Sequence, residues 1–163
     1  LNVSKADKLK YLRVIKINIK FNVLTDTATL VVFDLQSLKH RISDTPDWWS
    51  IEDDEIDEVN NGNAIFFNLD SDGDYLINIV DDLKEYTGIV YMHSPSGCLF
   101  IGAGEDTTGG GLEPDDINYI SGSFINLPPG SYGVKFKRDG VNVSLSFFSS
   151  TENKNNIKEF IRL

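Results

Sequence analysis

Ile15-Lys16-Ile17-Asn18-Ile19-Lys20-Phe21-Asn22-Val23 alternates without a break, apolar at every odd position and polar at every even one. A period of two marks a β-strand with one face in a core and the other in water. A turn at Asp26 and the β-branched run Thr29 to Phe33 predict a return strand, so a hairpin is the first expectation. The same alphabet recurs downstream and predicts strands over 64–69, 75–80, 89–92, 98–101, 123–127, 132–137 and 141–148. In the last of these Val141, Val143, Leu145 and Phe147 fall on one face.

Two segments break this pattern. Leu35 to Ile42 predicts a short helix, with Asp34 placed to cap it and Leu35, Leu38 and Ile42 spaced for one side. Ile51 to Asn60 predicts a second, with Ser50 and Asp53 as a capping box and Asp53, Asp54 and Glu55 at the positive end of the helix dipole. Ile51, Ile56 and Val59 are its only apolar residues, a thin stripe under an acidic outer face, and Gly62 ends it. The fold class is therefore mainly β: a β-sandwich or two packed small antiparallel sheets, with one or two short surface helices.

Phe67-Asn68-Leu69 before Asp72-Gly73-Asp74-Tyr75 parallels Ile125-Asn126-Leu127 before Gly130-Ser131-Tyr132. Each couples Asn-Leu, a glycine turn, and a Tyr two residues after the glycine, and each reads as strand, turn and return strand. Two related halves, 14–85 and 86–150, account for the match; turn chemistry alone is the competing reading. A chain of 163 residues hides roughly 70% of its unfolded surface and sustains one core, so 14–163 is read as a single β-rich domain. Residues 1–13 read as a polar, basic lead-in, frayed or foreign to the native chain.

Charge excludes several functions. The chain carries 15 Lys and Arg against 25 Asp and Glu, a net charge of −10. Its one dense cationic cluster, Lys5, Lys8, Lys10, Arg13, Lys16 and Lys20 with Asp7, is N-terminal and leaves the rest more acidic still. Nucleic acids and anionic membranes need clustered cations, so neither is an expected partner, whereas basic proteins are drawn in at raised rates. The single cysteine, Cys98, rules out an internal disulfide and a multi-thiolate zinc site, and reads as a small core residue in a cytosolic protein. No run approaches the about 20 apolar residues of a bilayer span.

The sharpest feature is functional. Between Asp44 and Glu58 stand eight carboxylates and no basic residue, beside the pair Trp48-Trp49. An indole anchor ringed by charge suits a protein contact, and either helical or alternating geometry points one of the two Trp inward and leaves the other for the partner. A charged helix face is usually only solvated, yet surfaces built for solubility mix signs and this one does not. The expected contact residues are Asp44, Asp47, Trp48, Trp49, Glu52, Asp53, Asp54 and Asp57. Glu105, Asp106, Asp115 and Asp116, from the acidic loop 104–116, form a second contact element or a solvated connection.

Other motifs are weaker. Asp70, Asp72 and Asp74 alternate like a calcium loop, but Gly73 stands fourth rather than sixth and the flanks are strands. His40 and His93 share no ligand spacing, and His93 with Ser94, Ser96 and Cys98 has no geometry that makes a nucleophile. Gly102-Ala103-Gly104 and Gly109-Gly110-Gly111 lack the Lys-Ser/Thr ending of a phosphate loop and sit among carboxylates. No catalytic residue, metal or cofactor is expected.

Phe21-Asn22-Val23-Leu24-Thr25-Asp26-Thr27-Ala28-Thr29-Leu30, Lys39-His40-Arg41, Asp47-Trp48-Trp49, Gly109-Gly110-Gly111-Leu112-Glu113-Pro114 and Leu127-Pro128-Pro129-Gly130-Ser131-Tyr132 resemble an uncharacterised bacterial domain family. Its members look similar to the small immunity proteins of polymorphic toxin and contact-dependent inhibition systems. That resemblance implies a cytosolic antidote that binds one toxin tightly. The charge argument arrives independently at a basic partner. The competing expectation is a sandwich module that binds calcium or a sugar through 70–74 and 104–116, and an enzyme built on His93 and Cys98 stands third.

Overall fold

The computed structural model describes residues 16–111, 113–114 and 120–163. Residues 1–13 therefore lie outside the described residues. Among the described residues ten strands and one α-helix follow in chain order: β1 (Ile19–Thr25), β2 (Thr29–Asp34), α1 (Glu52–Asn60), β3 (Ala64–Asn68), β4 (Gly73–Ile79), β5 (Gly88–Ser94), β6 (Cys98–Ala103), β7 (Gly122–Asn126), β8 (Gly130–Asp139), β9 (Asn142–Ser149) and β10 (Ile161–Arg162). They make two five-stranded sheets, β1-β4-β9-β8-β5 and β10-β3-β2-β6-β7. The first is called the front sheet below and the second the back sheet. One apolar cluster joins them, with Leu30, Val32, Ile65, Phe67 and Ile101 from the back meeting Ile77, Val134, Phe136, Val143 and Leu145 from the front. Each sheet also holds a parallel pair, β4 with β9 and β3 with β10, so the pairing is mixed rather than purely antiparallel.

The expected first hairpin does not form. β1 pairs with β4, β2 pairs with β3 and β6, and the turn between β1 and β2 carries the chain from the front sheet to the back. The reason lies in β2, whose six residues are all buried. A strand with two apolar faces belongs in the interior of a covered sheet, and the half-exposed β1 does not. The same holds for 67–75 and 125–132, which each cross between sheets instead of folding back.

Two four-strand sets share one wiring. β1 pairs with β4 in front and β2 with β3 behind; β5 pairs with β8 in front and β6 with β7 behind. Val32 pairs with Ile101 in the central antiparallel β2–β6 pair, which joins the two sets. The turns agree in detail. Leu69 N–H donates to Ala28 O at 2.7 Å and Leu127 N–H to Gly97 O at 2.8 Å, and both acceptors have positive φ, 50° and 78°. The Tyr75 hydroxyl donates to Ser71 O and the Tyr132 hydroxyl to Pro128 O, two tyrosine corners at matching places. β9 and β10 have no counterparts. β9 fills the centre of the front sheet and β10 the outer edge of β3.

Each set also pins the other's turn with a carboxylate. Asp34, ending β2, accepts from the Ser94 hydroxyl, Ser96 N–H and the Ser96 hydroxyl, at 2.7–2.8 Å, and from Gln36 N–H at 2.9 Å. Glu105, just past β6, accepts from the Thr25 hydroxyl, Asp26 N–H and the Thr27 hydroxyl at 2.6–2.9 Å. Burial pushes the Asp34 pKa up, but the donors from Ser96, Ser94 and Gln36 outweigh it and hold the group below the usual carboxylate range.

The region predicted as a helix over 35–42 is two 3-10 turns, Leu35–Ser37 and Lys39–Arg41, with Asp34 capping the first. α1 forms over nearly its expected span, but its N-cap is Ile51 with no side-chain cap bond, while the Ser50 hydroxyl donates to Asp47 O. Val141 is 56% exposed and lies outside β9, whereas Val143, Leu145 and Phe147 point inward as expected. Cys98 is half-buried at the start of β6. Among the described residues no helix is long and apolar enough to cross a membrane.

Candidate protein-binding surface

The acidic segment is seated by its two indoles. The back sheet's outer face presents Val31, Phe33, Phe66 and Phe100, which need an apolar cover, and Trp48 and Trp49 in a 3-10 turn help to supply it. Trp49 stacks on Phe66 with ring centroids 6.1 Å apart, and Trp48 meets the same ring edge-on at 6.1 Å. The Trp48 indole N–H donates to Thr108 O at 2.7 Å. Both Trp are buried, at 2% and 7% exposure, which corrects the expectation that one of them faces a partner. Burying two rings of this size against aromatic neighbours fixes the segment to the sheet.

The stretch also has a cation, contributed from just upstream. Arg41 stacks over Trp48, 4.5 Å from the ring centroid, and bonds Asp44 at 2.9 Å, Asp54 at 3.3 Å and Glu58 at 2.7 Å. His40 reaches Glu58 at 2.6 Å and the Asn63 amide donates to it at 2.7 Å. Burial raises the Glu58 pKa, yet Asn63, His40 and Arg41 together hold it below the ordinary Glu range. Burial works against the Arg41 charge, and its carboxylate partners more than restore it. The absence of Lys or Arg inside 44–58 was therefore misleading, because Asp44, Asp54 and Glu58 are neutralised across the fold.

Glu55 differs from its neighbours. It is 3% exposed, and its one hydrogen bond among the described residues is from the Asn68 amide at 3.5 Å. Burial raises its pKa to about 7; the Asn68 bond opposes the rise and the charge of Glu52 adds to it.

Four carboxylates remain open. Asp47, Glu52, Asp53 and Asp57 are exposed and, among the described residues, hold no side-chain hydrogen bond or ion pair. Between Asp47 and Glu52 the side chain of Ile51 is 53% exposed. Sequence reasoning placed Ile51 in the buried stripe and so missed it. As N-cap it has extended rather than helical φ and ψ, so helical periodicity does not govern where it points.

The second acidic segment joins the first. Gly110 N–H donates to Asp44 O and Gly111 N–H to Ile42 O, each at 2.7 Å, beside the Trp48–Thr108 bond. At Gly110, with φ +60°, a Cβ would come within 2.6 Å of the Pro46 ring, so glycine permits this approach. The carboxylates of the loop do not all follow. Glu105 is occupied by the β1–β2 turn, and Asp106 accepts from Ser121 N–H at 2.7 Å. Burial raises the Asp106 pKa, with Ser121 opposing and Glu105 adding to it. Asp115 and Asp116 lie outside the described residues.

The remaining motifs have local roles. Ser94 and Ser96 are bonded to Asp34, not to His93. Asp74 accepts from the Asn22 amide at 3.0 Å, while Asp70 and Asp72 are exposed. Among the described residues no group of three or more His, Cys, Asp or Glu gathers as metal ligands.

Known proteins add the following. The chain is similar in structure to ComJ from Bacillus subtilis, described as an inhibitor of the DNA-degrading activity of NucA, with 13% identity and a TM-score of 0.48 over 84% of this chain and 99% of that one. It is also similar to a protein described as Crocagin biosynthetic gene J, with 14% identity and a TM-score of 0.47 over 78% of this chain and 94% of that one. No curated protein matches it in sequence. Residues 17–163 match DUF6386, a family of unknown function, and the chain belongs to that family.

Proposed function

We propose that the protein is an immunity-type inhibitor that binds a basic toxin domain one to one and neutralises it by occlusion. The observation that carries this reading is that Asp47, Glu52, Asp53 and Asp57, open and without intramolecular cations among the described residues, share one short segment with the exposed Ile51. A small apolar anchor on a segment with open charge of one sign is suited to a cationic surface with an apolar socket. The charges speed encounter and set register, and the desolvated anchor lowers the off-rate. Trp48 and Trp49 act underneath, holding the ridge rigid so that little ordering entropy is lost on binding. Asp44 and Asp54, half-covered by Arg41, sit at the margin and stand to gain a partner's cation without giving up their own.

The test is to co-express the protein with the C-terminal domain encoded by the adjoining gene and follow complex formation by size-exclusion chromatography and calorimetry, with growth rescue as the biological readout. A stable one-to-one complex is expected. In it Asp53→Lys with Asp57→Lys slows association by about ten-fold or more and flattens its salt dependence, and Ile51→Ala raises the off-rate. A complex whose kinetics ignore all three substitutions places the interface elsewhere, and a folded neighbour that does not bind removes the reading.

A further inference from the structure

The front sheet's outer face, opposite the acidic ridge, carries a groove of about 630 Å³ that no role assigned so far uses. Its floor is a row of residues in register across four strands: Lys20 on β1 faces Asn78 on β4, Asn78 faces Ser144 on β9, and Ser144 faces Lys137 on β8. Asn142 extends the floor, while Val80 and Leu83 supply an aliphatic strip. The wall at 80–85 is tied down, since Leu83 N–H donates to the Ser146 hydroxyl at 3.2 Å and Asp82 bonds Lys135 at 2.9 Å.

Asn is depleted in strands and Ser is not among the β-branched and aromatic residues they favour, yet here they occupy the interior strands β4 and β9. Among the described residues the Ser144 hydroxyl and the Asn142 amide have no hydrogen-bond partner, and the Asn78 amide makes only a 3.4 Å contact to Leu76 O. Lys20 is likewise unpaired among them, and Lys137 meets only the exposed Glu85, at 3.5 Å. Three strand spacings, roughly 14 Å, separate the two lysine backbones. Lys84, Glu85 and Asp139 also line the groove, so three lysines face two carboxylates there, a small positive excess in a chain of net charge −10, with a cation at each end of a floor of free amides and a hydroxyl.

We infer that the groove binds an acidic oligosaccharide. Vicinal sugar hydroxyls both donate and accept, as the amides and the hydroxyl of the floor do. The C–H face of a pyranose packs on Val80 and Leu83, and carboxylates on separate sugar units meet Lys20 and Lys137. A nucleic-acid strand fits less well: no aromatic side chain among the lining residues offers a stacking platform, and the rest of the molecule repels a polyanion of high charge density. The site does not depend on the inhibitor reading, because it lies on the other sheet.

The test is calorimetry and amide-resolved NMR titration of the whole chain with tetragalacturonate, beside maltotetraose and tripolyphosphate as controls. Tetragalacturonate is expected to bind at millimolar affinity or tighter and to shift residues 78–84 and 137–144, with affinity falling about ten-fold in Lys20→Ala with Lys137→Ala and in Asn78→Ala with Ser144→Ala. Maltotetraose binds at least that much more weakly. The ridge variant Asp53→Lys with Asp57→Lys leaves sugar binding unchanged, which separates this site from the inhibitor surface. The inference is overturned by no binding at millimolar ligand, by binding that survives both groove double variants, or by tripolyphosphate binding as well as the sugar, which would reduce the groove to general anion attraction.

Discussion

Ala28 and Gly97 hold one structural position in the two halves, and only one of them suits it. Both lie in the left-handed region, where a side chain costs about 1 kcal/mol or more relative to glycine. Ala28→Gly is therefore expected to gain about 0.5 kcal/mol, the relief of strain exceeding the extra entropy of the unfolded chain, as read by urea denaturation. Glu55 gives a pH-dependent counterpart. Its folded pKa, about 7, stands above the unfolded value near 4.3, so the fold disfavours the charged form. That cost is complete above pH 7 and fades as pH falls toward the unfolded value. Glu55→Gln should stabilise the protein by on the order of 2 kcal/mol at pH 8, with the difference shrinking toward zero near pH 4. Equal effects at both pH values would show that packing rather than charge governs the site. Single residues were the least legible level of the sequence. One of Trp48 and Trp49 read as an interface anchor because nothing local reveals the apolar back-sheet face that both cover, and the role of Arg41 was overlooked because two of its three carboxylates, Asp54 and Glu58, are close to it only in space.

At the scale of elements, the clearest case is the join between the two acidic connections. Trp48 holds it through the indole bond to Thr108, the stacked Arg41 and the edge contact with Phe66. Trp48→Leu should cost about 3 kcal/mol or more and should loosen α1 ahead of the sheets, visible as faster amide exchange over 52–60 with the strand core still protected. Uniform acceleration everywhere would mean that the segment is not a separate unit. Strand positions and the span of α1 were legible, because period-two alternation and a polar run with acidic residues in its first turn are written locally, although the expected Ser50 cap does not form. Partners were not. Alternation tells which face of β1 is buried but not which strand lies beside it, so a three-residue connection was read as a hairpin when it is an arch between sheets.

At the scale of the molecule, the halves are locked by reciprocal carboxylates. Asp34 has a folded pKa below its unfolded value near 3.9, so its contribution is present above that value and is lost as pH falls through the folded one. Asp34→Asn is expected to lower stability by about 2 kcal/mol at pH 7, a loss that narrows below pH 4 as the wild-type group protonates. Glu105→Gln should cost less, because Glu105 is exposed and water can replace the carboxylate. Denaturation of both variants across pH 3 to 7 checks the pair, and a larger loss at Glu105 would count against burial as the cause. The shared wiring of the two four-strand sets has Asn-Leu, glycine and Tyr as its trace in the sequence, since the pairing itself is carried by contacts far apart in the chain.

The place of β9 has a consequence for how the protein comes into being. It sits between β4 and β8 at the centre of the front sheet, though it follows both of them in the chain. Until residue 149 has emerged, β4 and β8 have no neighbour to bridge them, and that sheet remains two unconnected ribbons. Assembly of this sheet therefore waits for β9 and is dominated by non-local pairing, which sets a time of milliseconds to seconds rather than microseconds. A nascent chain arrested before β9 would expose the apolar inner faces of both ribbons and fall to chaperones or proteases, so a truncated copy is cleared rather than left half-built.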